Sequence, residues 1–205
     1  MRLARLLAGV GRARSGSRPG DWTASVLDLE GIRRRDAGVT DRESEKLLVL
    51  TTGGTIDKVY FDATSAYEIG EPTVPHIFRE TGVRMDYELV ALMRKDSLDL
   101  DDRDRSAIRA ACEERGETRI LITHGTDTMA VTAEALRGIE GKTIVLTGAM
   151  APARFRVTDA VFNIGTAVGA VQASGPGVFI AMNGMIFEAG RVRKNREAGC
   201  FERLE

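Results

Sequence analysis

Two short loops rich in threonine and glycine carry the residues of this sequence that can do chemistry. The first is Thr52-Gly53-Gly54-Thr55, and the second is His124-Gly125-Thr126-Asp127. A threonine hydroxyl attacks a substrate only after a base removes its proton, and the sequence offers Asp127 and Lys194 as partners. Backbone N–H groups in the glycine turns are natural donors to a developing oxyanion. The pattern favours covalent catalysis by threonine, and the alternative is a pair of ordinary glycine turns.

Other catalytic and ligand-binding patterns do not fit this sequence. The run 138–143 ends like a phosphate-binding loop, but its first glycine is wrongly spaced and a strand follows it instead of preceding it. Neither a Gly-x-Ser-x-Gly elbow nor a Gly-x-Gly-x-x-Gly fingerprint occurs. His76 and His124 are too few for a histidine-based metal cluster, and Cys112 and Cys200 lack metal-ligand spacing. We therefore expect no metal and no organic cofactor. We expect His124 to hold its loop by hydrogen bonds and His76 to be a helix residue.

Both loops follow short apolar runs that are typical of strands buried on both faces of a sheet. Segments of helical periodicity alternate with these runs, which predicts an α/β fold: an open, mostly parallel sheet with helices on both faces. The carboxyl ends of parallel strands lie at one sheet edge, so the two loops can face each other across a switch point. The predicted strands are 46–50, 85–93, 119–122, 143–146 and 178–182. The predicted helices are 101–115, 127–137, 158–172 and a short one capped by Thr73.

Three segments fall outside this alternation. Residues 57–70 are polar and aromatic, which predicts a hairpin or a mobile flap, and residues 183–205 predict a hairpin or an extended arm. Residues 1–44 are rich in arginine, carry no motif and superficially resemble an organelle transit peptide. A disordered leader, or a start codon placed too far upstream, is the favoured interpretation of this segment. The expected catalytic domain is 45–205.

Length, charge and cysteine content restrict the function further. The chain has 205 residues and a formal net charge of −1. These values allow one domain of ordinary size and give no support for a nucleic-acid or membrane-surface partner. No apolar stretch approaches the roughly 20 residues that span a bilayer. Two widely separated cysteines favour a reducing, cytoplasmic location.

The motifs, taken together, resemble those of the bacterial-type L-asparaginase family. TTGGTID at 51–57 is followed, in the family's order, by THGTDTM at 123–129, TGAM at 147–150, MNG at 182–184 and GRVRKN at 190–195. The resemblance runs from Lys46 to Glu205 and covers only the amino-terminal, catalytic-loop domain of the familiar two-domain enzymes. The expectation is a compact, single-domain member of the family. The resemblance also implies the fold of the asparaginase N-terminal domain, with Rossmann- or flavodoxin-like layering.

The resemblance implies a nucleophile and a tyrosine partner for it. Thr55 matches the threonine that attacks a side-chain amide and forms a β-aspartyl enzyme. Tyr67 matches the flap tyrosine that hydrogen-bonds this threonine, and Tyr60 is a weaker match. The alternatives are a turn residue for Thr55 and a packing residue of the flap for Tyr67.

The resemblance also implies an activating group and a substrate pocket. Thr126, Asp127 and Lys194 match the family's Thr-Asp-Lys group, which activates the attack or the hydrolytic water. Asp127 also matches the residue that receives the substrate α-ammonium, and Ser97 the one that holds its α-carboxylate. Alternatively, Asp127 caps the following helix, Lys194 belongs to a solvated basic face, and Ser97 is an ordinary loop hydroxyl. The implied substrate-binding set is Gly54, Ser97, Gly125, Thr126, Asp127 and Ala149, with the glycines and the alanine contributing backbone groups.

Two departures from the family pattern concern the amino-acid head group. Leu98 stands where the larger enzymes often place a glutamine near the substrate ammonium. The acidic residue that a neighbouring subunit's carboxy-terminal domain supplies has no counterpart in this sequence. Both departures remove polar contacts, so we expect weak substrate affinity and an ill-defined preference between asparagine and glutamine.

The expected function is hydrolysis of L-asparagine to L-aspartate and ammonia by a homo-oligomer that uses no cofactor. One alternative keeps the site and changes the substrate to glutamine, or to an amidated side chain on another molecule, as in asparaginase-like subunits of transfer-RNA amidotransferases. Another alternative is a binding module that senses an amino acid without turnover. The Thr-Thr-Asp-Lys set argues against a sensor, because a sensor needs no activated hydroxyl.

Overall fold

A computed structural model describes residues 46–62 and 66–204. The expected leader, residues 1–44, lies outside the described residues. The strands are β1 (Leu47–Thr51), β2 (Lys58–Phe61), β3 (Ala66–Ile69), β4 (Tyr87–Ala91), β5 (Arg119–Thr123), β6 (Thr143–Thr147), β7 (Gly177–Met182), β8 (Met185–Glu188), β9 (Val192–Asn195) and β10 (Cys200–Arg203). The α-helices are α1 (Val74–Thr81), α2 (Asp102–Glu114), α3 (Met129–Ala135) and α4 (Ala160–Ala173).

Six of these strands form one sheet in the order β4-β1-β5-β6-β7-β8. The first five are parallel, and β8 runs antiparallel to β7. Numbered along the chain, the parallel strands have the order 2-1-3-4-5, which is the flavodoxin-like arrangement. The chain direction of strand addition reverses between β1 and β5, so the loops after these two strands flank the switch point where such sheets bind ligands.

Alternate residues of β1 supply two separate cores, one on each face of the sheet. Leu48 and Leu50 lie in a cluster with buried residues of α2 and α3, whereas Leu47 and Val49 lie in a cluster with buried residues of α1 and α4. Successive side chains of a strand point to opposite faces, so an uninterrupted apolar run is what a doubly covered strand requires. The predicted α/β fold, with helices on both faces of a mostly parallel sheet, is confirmed.

Local sequence explains where helix α2 begins and why helix α4 is buried against the sheet. The side chain of Asp101 accepts hydrogen bonds from the N–H groups of Arg103 and Asp104, and the N–H of Asp101 donates to the side chain of Asp104, which makes a capping box at the start of α2. Helix α4 contains no charged residue and buries Ile164 and Val171 among others. Among the described residues, no helix combines the length and apolar character needed to cross a membrane.

Two hairpins outside the large sheet bring side chains toward the carboxyl ends of its strands. Strands β2 and β3 pair antiparallel, which confirms a hairpin within 57–70, and β9 and β10 form a second antiparallel pair. The prediction for 183–205 is therefore correct for β9 and β10 but incomplete, because β8 joins the large sheet.

The prediction that Thr73 caps a short helix is correct for its N-cap position and wrong for its side chain. Helix α1 begins just after Thr73, but the Thr73 side chain makes no capping hydrogen bond. Its backbone N–H and its hydroxyl both donate to Oδ1 of Asp57, each at 2.8 Å. The Thr73 hydroxyl is thus oriented by its bond to the buried Asp57 carboxyl group, and no N–H of the first helical turn donates to it.

Candidate active site

The loops after β1 and β5 touch through backbone atoms. Gly54 has φ 91° and ψ −172°, a conformation that is nearly confined to glycine. A Cβ atom on Gly54 would lie 2.5 Å from both Cα and N of Gly125. A Cβ atom on Gly125 would lie 2.6 Å from Cβ and Oγ of Ser97, in the loop after β4. Three residues of the expected substrate-binding set therefore meet at separations that only glycine allows.

Thr55 follows this contact directly and begins the 3₁₀ turn Thr55–Asp57. Its side chain is partly exposed. Thr52, the other threonine of the first loop, is buried, and its hydroxyl donates to the carbonyl of Thr123 at 3.0 Å. Of the two hydroxyls, that of Thr55 is the one open to a substrate.

The buried carboxylate of Asp57 anchors this turn. It accepts the two hydrogen bonds from Thr73, and the Asp57 carbonyl accepts one from the N–H of Gly70 at 2.8 Å. Burial raises the pKa of Asp57, and the hydrogen bonds from Thr73 oppose that shift. Asp57 thus links the turn that carries Thr55 to the residues that follow β3, at the base of the β2–β3 flap. Sequence reasoning missed this role, and its only signal is the position of Asp57 at the end of the first motif.

Lys194 connects the second loop to the β9–β10 hairpin. Its Nζ donates to Oγ1 of Thr126 at 2.7 Å and lies 3.1 Å from Oδ1 of Asp127. The side chain of Lys194 is 13% exposed, whereas that of Arg193 beside it is 66% exposed, so Lys194 is not part of a solvated basic face. Asp127 does not cap α3 either, because Thr128 is the residue at that position. The predicted Thr-Asp-Lys group is assembled in space.

A chain of hydrogen bonds through two asparagines holds the hairpin that carries Lys194. Lys194 pairs across the hairpin with Phe201, whose N–H donates to Oδ1 of Asn183 at 2.9 Å. The N–H of Asn183 donates to Oδ1 of buried Asn163, and Nδ2 of Asn163 donates to the carbonyl of Gly148. Sequence reasoning missed both asparagines. The signal for Asn163 is an amide side chain in the apolar first half of an uncharged helix.

His124 holds its own loop. Burial lowers the pKa of His124 to about 4, so the ring is neutral at pH 7. Nδ1 lies 2.7 Å from the carbonyl of Gly125 and must donate there, so Nε2 accepts from the Thr132 hydroxyl at 2.9 Å. The expected structural role of His124 agrees with these contacts, as does the position of His76 in α1. Ala149 is fully buried, after β6.

Ser97 presents a buried hydroxyl that makes no hydrogen bond within the described part of the chain. The preceding residue, Asp96, accepts from the N–H of Leu98 at 3.2 Å and from Nζ of Lys58 at 2.7 Å. The bond from Lys58 holds the pKa of Asp96 below its ordinary value. Leu98 itself is 64% exposed. Ser97 is therefore fixed by its neighbours, while its own buried hydroxyl has no hydrogen-bond partner among the described residues.

Tyr67 lies on the exposed face of the flap. Its ring packs edge-to-face on Tyr60, with centroids 5.5 Å apart, and lies 6.0 Å from the ring of Phe155. About half of the Tyr67 side chain is exposed, at 51%. These aromatic contacts position the flap, and they correspond to the packing alternative for Tyr67. A contact with Thr55 is not among them.

Arg196 is a further charged residue at this site that sequence reasoning did not assign. Its Nε lies 3.5 Å from Oδ1 of Asp127, the same oxygen that faces Lys194. Within 46–62 and 66–204, no group of three or more His, Cys, Asp or Glu side chains is arranged to hold a metal ion. The site as described combines an accessible hydroxyl, a second hydroxyl held by a lysine, and glycine loops with backbone N–H groups. These are the parts required for acyl transfer.

The comparisons with known proteins all indicate the same family. The family model "Asparaginase, N-terminal" matches residues 46–202. The L-asparaginase of Thermococcus kodakarensis is 36% identical over 164 residues, which are 75% of this chain and 49% of the relative. The glutaminase-asparaginase of Pseudomonas fluorescens biotype A is 30% identical over 74% of this chain and 46% of the relative. The solved structure of the thermostable T. kodakarensis L-asparaginase superimposes with a TM-score of 0.67, covering 78% of this chain and 51% of that one at 30% identity. The chain thus spans about half the length of the relatives it matches.

Proposed function

The chain belongs to the asparaginase family, and we propose that it is an amidohydrolase that converts L-asparagine to L-aspartate and ammonia through a threonine acyl-enzyme. The contact between Lys194 and the hydroxyl of Thr126, at 2.7 Å, is the observation that carries this proposal. This contact joins a lysine of the β9–β10 hairpin to the hydroxyl of a threonine in the second loop. It supports an activated hydroxyl at the switch point of the sheet.

In the proposed reaction, Oγ1 of Thr55 attacks the carbonyl carbon of the substrate side-chain amide. The carbon–nitrogen bond breaks, ammonia leaves with the proton lost by Thr55, and an ester joins the acyl group to the enzyme. Water then adds to the ester, releases aspartate and restores the hydroxyl. Thr126 and Lys194 supply the route for the proton, because a hydroxyl both accepts and donates hydrogen bonds. Backbone N–H groups of the two glycine loops stabilise the oxyanion.

Ammonia release by the purified protein tests the activity, and substitutions test the assigned roles. Thr55→Ala and Thr126→Ala are each expected to lower kcat by roughly a hundredfold or more. Thr166→Ala is the matched control, since Thr166 is a partly exposed threonine on α4 whose hydroxyl donates to the helix carbonyl of Phe162. Undiminished turnover in either of the first two variants would remove that residue from the mechanism.

A second pair of variants separates proton transfer by Lys194 from its ion pair with Asp127. Lys194→Arg keeps a cation beside Asp127, but a guanidinium does not give up its proton in proteins. Lys194→Met removes both functions. If proton transfer matters, Lys194→Arg loses nearly as much activity as Lys194→Met. Activity in Lys194→Arg close to that of the wild type would reduce Lys194 to a positioning residue.

A glutaminase is the second candidate, because one relative is named a glutaminase-asparaginase. The same site would then accept a side chain longer by one methylene, a difference that hydrophobic pockets discriminate by only about 10- to 200-fold. Comparing kcat/KM for L-asparagine and L-glutamine decides between the two.

The proposal also includes a homo-oligomer in the cytoplasm. Sedimentation of the purified protein tests the oligomeric state, and cell fractionation tests the location.

A further inference from the structure

Phe155 is a partly exposed phenylalanine in the loop after β6, and this loop is bonded to the turn that carries Thr55. The N–H of Ala153 donates to the carbonyl of Ile56, the residue next to Thr55, at 3.1 Å. Two residues further on, the N–H of Phe155 donates to the carbonyl of Pro152 at 3.0 Å, which closes a tight turn. The backbone of Phe155 therefore has a fixed position relative to Thr55.

Further hydrogen bonds fix the rest of this loop. The carboxylate of Asp159 accepts from the N–H groups of Met150 and Ala151. The hydroxyl of Thr158 donates to the carbonyl of Ala151 at 3.0 Å. The loop is therefore held at both ends, and the ring of Phe155 projects from a fixed segment of the chain.

The β2–β3 flap has less support of its own, because it is a two-stranded sheet outside the large sheet. A two-stranded hairpin alone is at best marginally stable in water. The base of the flap is held by the bond from the N–H of Gly70 to the carbonyl of Asp57. Farther from the base, Tyr60 and Tyr67 face each other across the two strands, and about half of each side chain is exposed. That part of the flap needs contacts from outside the hairpin to stay in one place.

The ring of Phe155 provides such a contact. Its centroid lies 6.0 Å from that of Tyr67, with the two planes inclined at 56°, which is an ordinary geometry for an attractive aromatic pair. We propose that Phe155 is a positioning residue for the proposed amide hydrolysis: its ring holds Tyr67, and with it the outer part of the flap, at a fixed place relative to the turn that carries Thr55. This inference rests on the proposed function and adds to it a residue outside the two catalytic loops.

The proposal implies that a substrate bound at Thr55 lies against the positioned flap. The apparent affinity for such a substrate falls by the fraction of molecules in which the flap is in place. An aromatic pair of this kind changes that fraction by about three- to tenfold. Loss of the Phe155 ring therefore raises KM and leaves kcat nearly unchanged, because a saturating substrate itself orders the flap.

Steady-state hydrolysis of L-asparagine provides the first test. We expect Phe155→Ala to raise KM by about three- to tenfold with kcat within about twofold of the wild type, and Phe155→Tyr, which keeps the ring, to restore KM. In a Tyr67→Ala background, Phe155→Ala is expected to raise KM no further, because the contact is already lost. Val157→Ala is the matched control, since Val157 is an exposed apolar residue of the same loop. A KM for Phe155→Ala equal to that of Val157→Ala overturns the inference, and so does a fall in kcat alone.

Hydrogen exchange of the full chain without substrate provides the second test, which needs no turnover. Phe155→Ala is expected to speed exchange of the amides of β2 and β3 by about three- to tenfold and to leave those of β5 unchanged. If this result is obtained with a protein that releases no ammonia, the hydrolytic function fails and the positioning role stands. Unchanged exchange in β2 and β3 overturns the inference, even in a protein that releases ammonia.

Discussion

Replacing Gly125 by alanine tests whether the three loops at the switch point are as close as the structure has them. The backbone of Gly125 is in a conformation open to any residue, so an added methyl group causes no torsional strain of its own. It would, however, lie 2.6 Å from both Cβ and Oγ of Ser97. Carbon atoms pack at about 3.5–4.0 Å, so the overlap is about 1 Å. Forcing a group of this size into a packed site costs about 1–3 kcal/mol of unfolding free energy.

The same geometry says how to relieve the clash. Ser97→Gly removes both of the close atoms and leaves the Ser97 backbone nitrogen at 3.1 Å, a distance that a shift of a few tenths of an ångström accommodates. By itself, Ser97→Gly costs about 0.5–1 kcal/mol in chain entropy. In the double variant, Gly125→Ala should cost about 1–2 kcal/mol less than it does in the wild type. Such a coupling energy is typical of residues in direct contact.

Urea unfolding of the wild type, the two single variants and the double variant measures this coupling at a constant m-value. Gly165→Ala is the matched control: Gly165 lies in α4, nothing lies within 4 Å of its added methyl group, and alanine should stabilise the helix by about 0.5–1 kcal/mol. Equal costs of Gly125→Ala in both backgrounds, within about 0.5 kcal/mol, would refute the close approach of the loops.

Three further predictions concern polar groups that hold the loops and hairpins of the site in place. The folded pKa of His124, about 4, lies below its ordinary 6.5, so acidification from pH 7 to 4 should remove up to about 3 kcal/mol of unfolding free energy at this group. Urea unfolding at each pH should show that His124→Gln lacks this acid loss. Asp57 has the opposite sign: burial raises its pKa, so its contribution to stability improves as the pH falls toward 3.8, and Asp57→Asn should unfold at higher urea than the wild type at pH 7. Asn183→Gly keeps the φ of 55° but loses the bond from the N–H of Phe201, so ammonia release should fall by roughly tenfold as Lys194 loosens, while Asn183→Asp, which keeps the acceptor, should restore it.

The strands were the most predictable part of this fold. Five of the six strands in the sheet were predicted: β1, β5, β6 and β7 from short apolar runs, which strands buried on both faces require, and β4 from the alternation of its side chains. The second, 85–93, is shorter than predicted, as Tyr87–Ala91, because it lies at the sheet edge and pairs on one side only. Strand β8 was not predicted, because its sequence has no periodicity of its own. Its antiparallel pairing with β7 depends on the turn at Asn183.

The candidate site was predictable in its residues but not in its contacts. Glycine and threonine at two strand ends indicated the loops, and the family resemblance supplied Lys194, which lies 68 residues from Thr126 along the chain. Sequence alone did not distinguish Lys194 from its neighbour Arg193, because that distinction depends on which face of β9 turns inward. Thr73 shows the same limit. A threonine before a helix predicts a cap, and only the fold brings a buried carboxylate within its reach.

The glycines of this site should tolerate substitution less well than its threonines, because the loops must first come into contact before their hydroxyls are placed correctly. The 2-1-3-4-5 strand order places β1 next to β5, and the loops that follow can meet only if Gly54 lacks a side chain, while Gly125 must lack one to lie against Ser97. A displacement of about 1 Å at such a contact is enough to cost about a hundredfold in rate, so any side chain there would separate Thr55 from Thr126. A serine in place of either threonine would still present a hydroxyl in nearly the same position. Substitutions at the glycines should therefore abolish the arrangement, whereas threonine-to-serine changes should only weaken it.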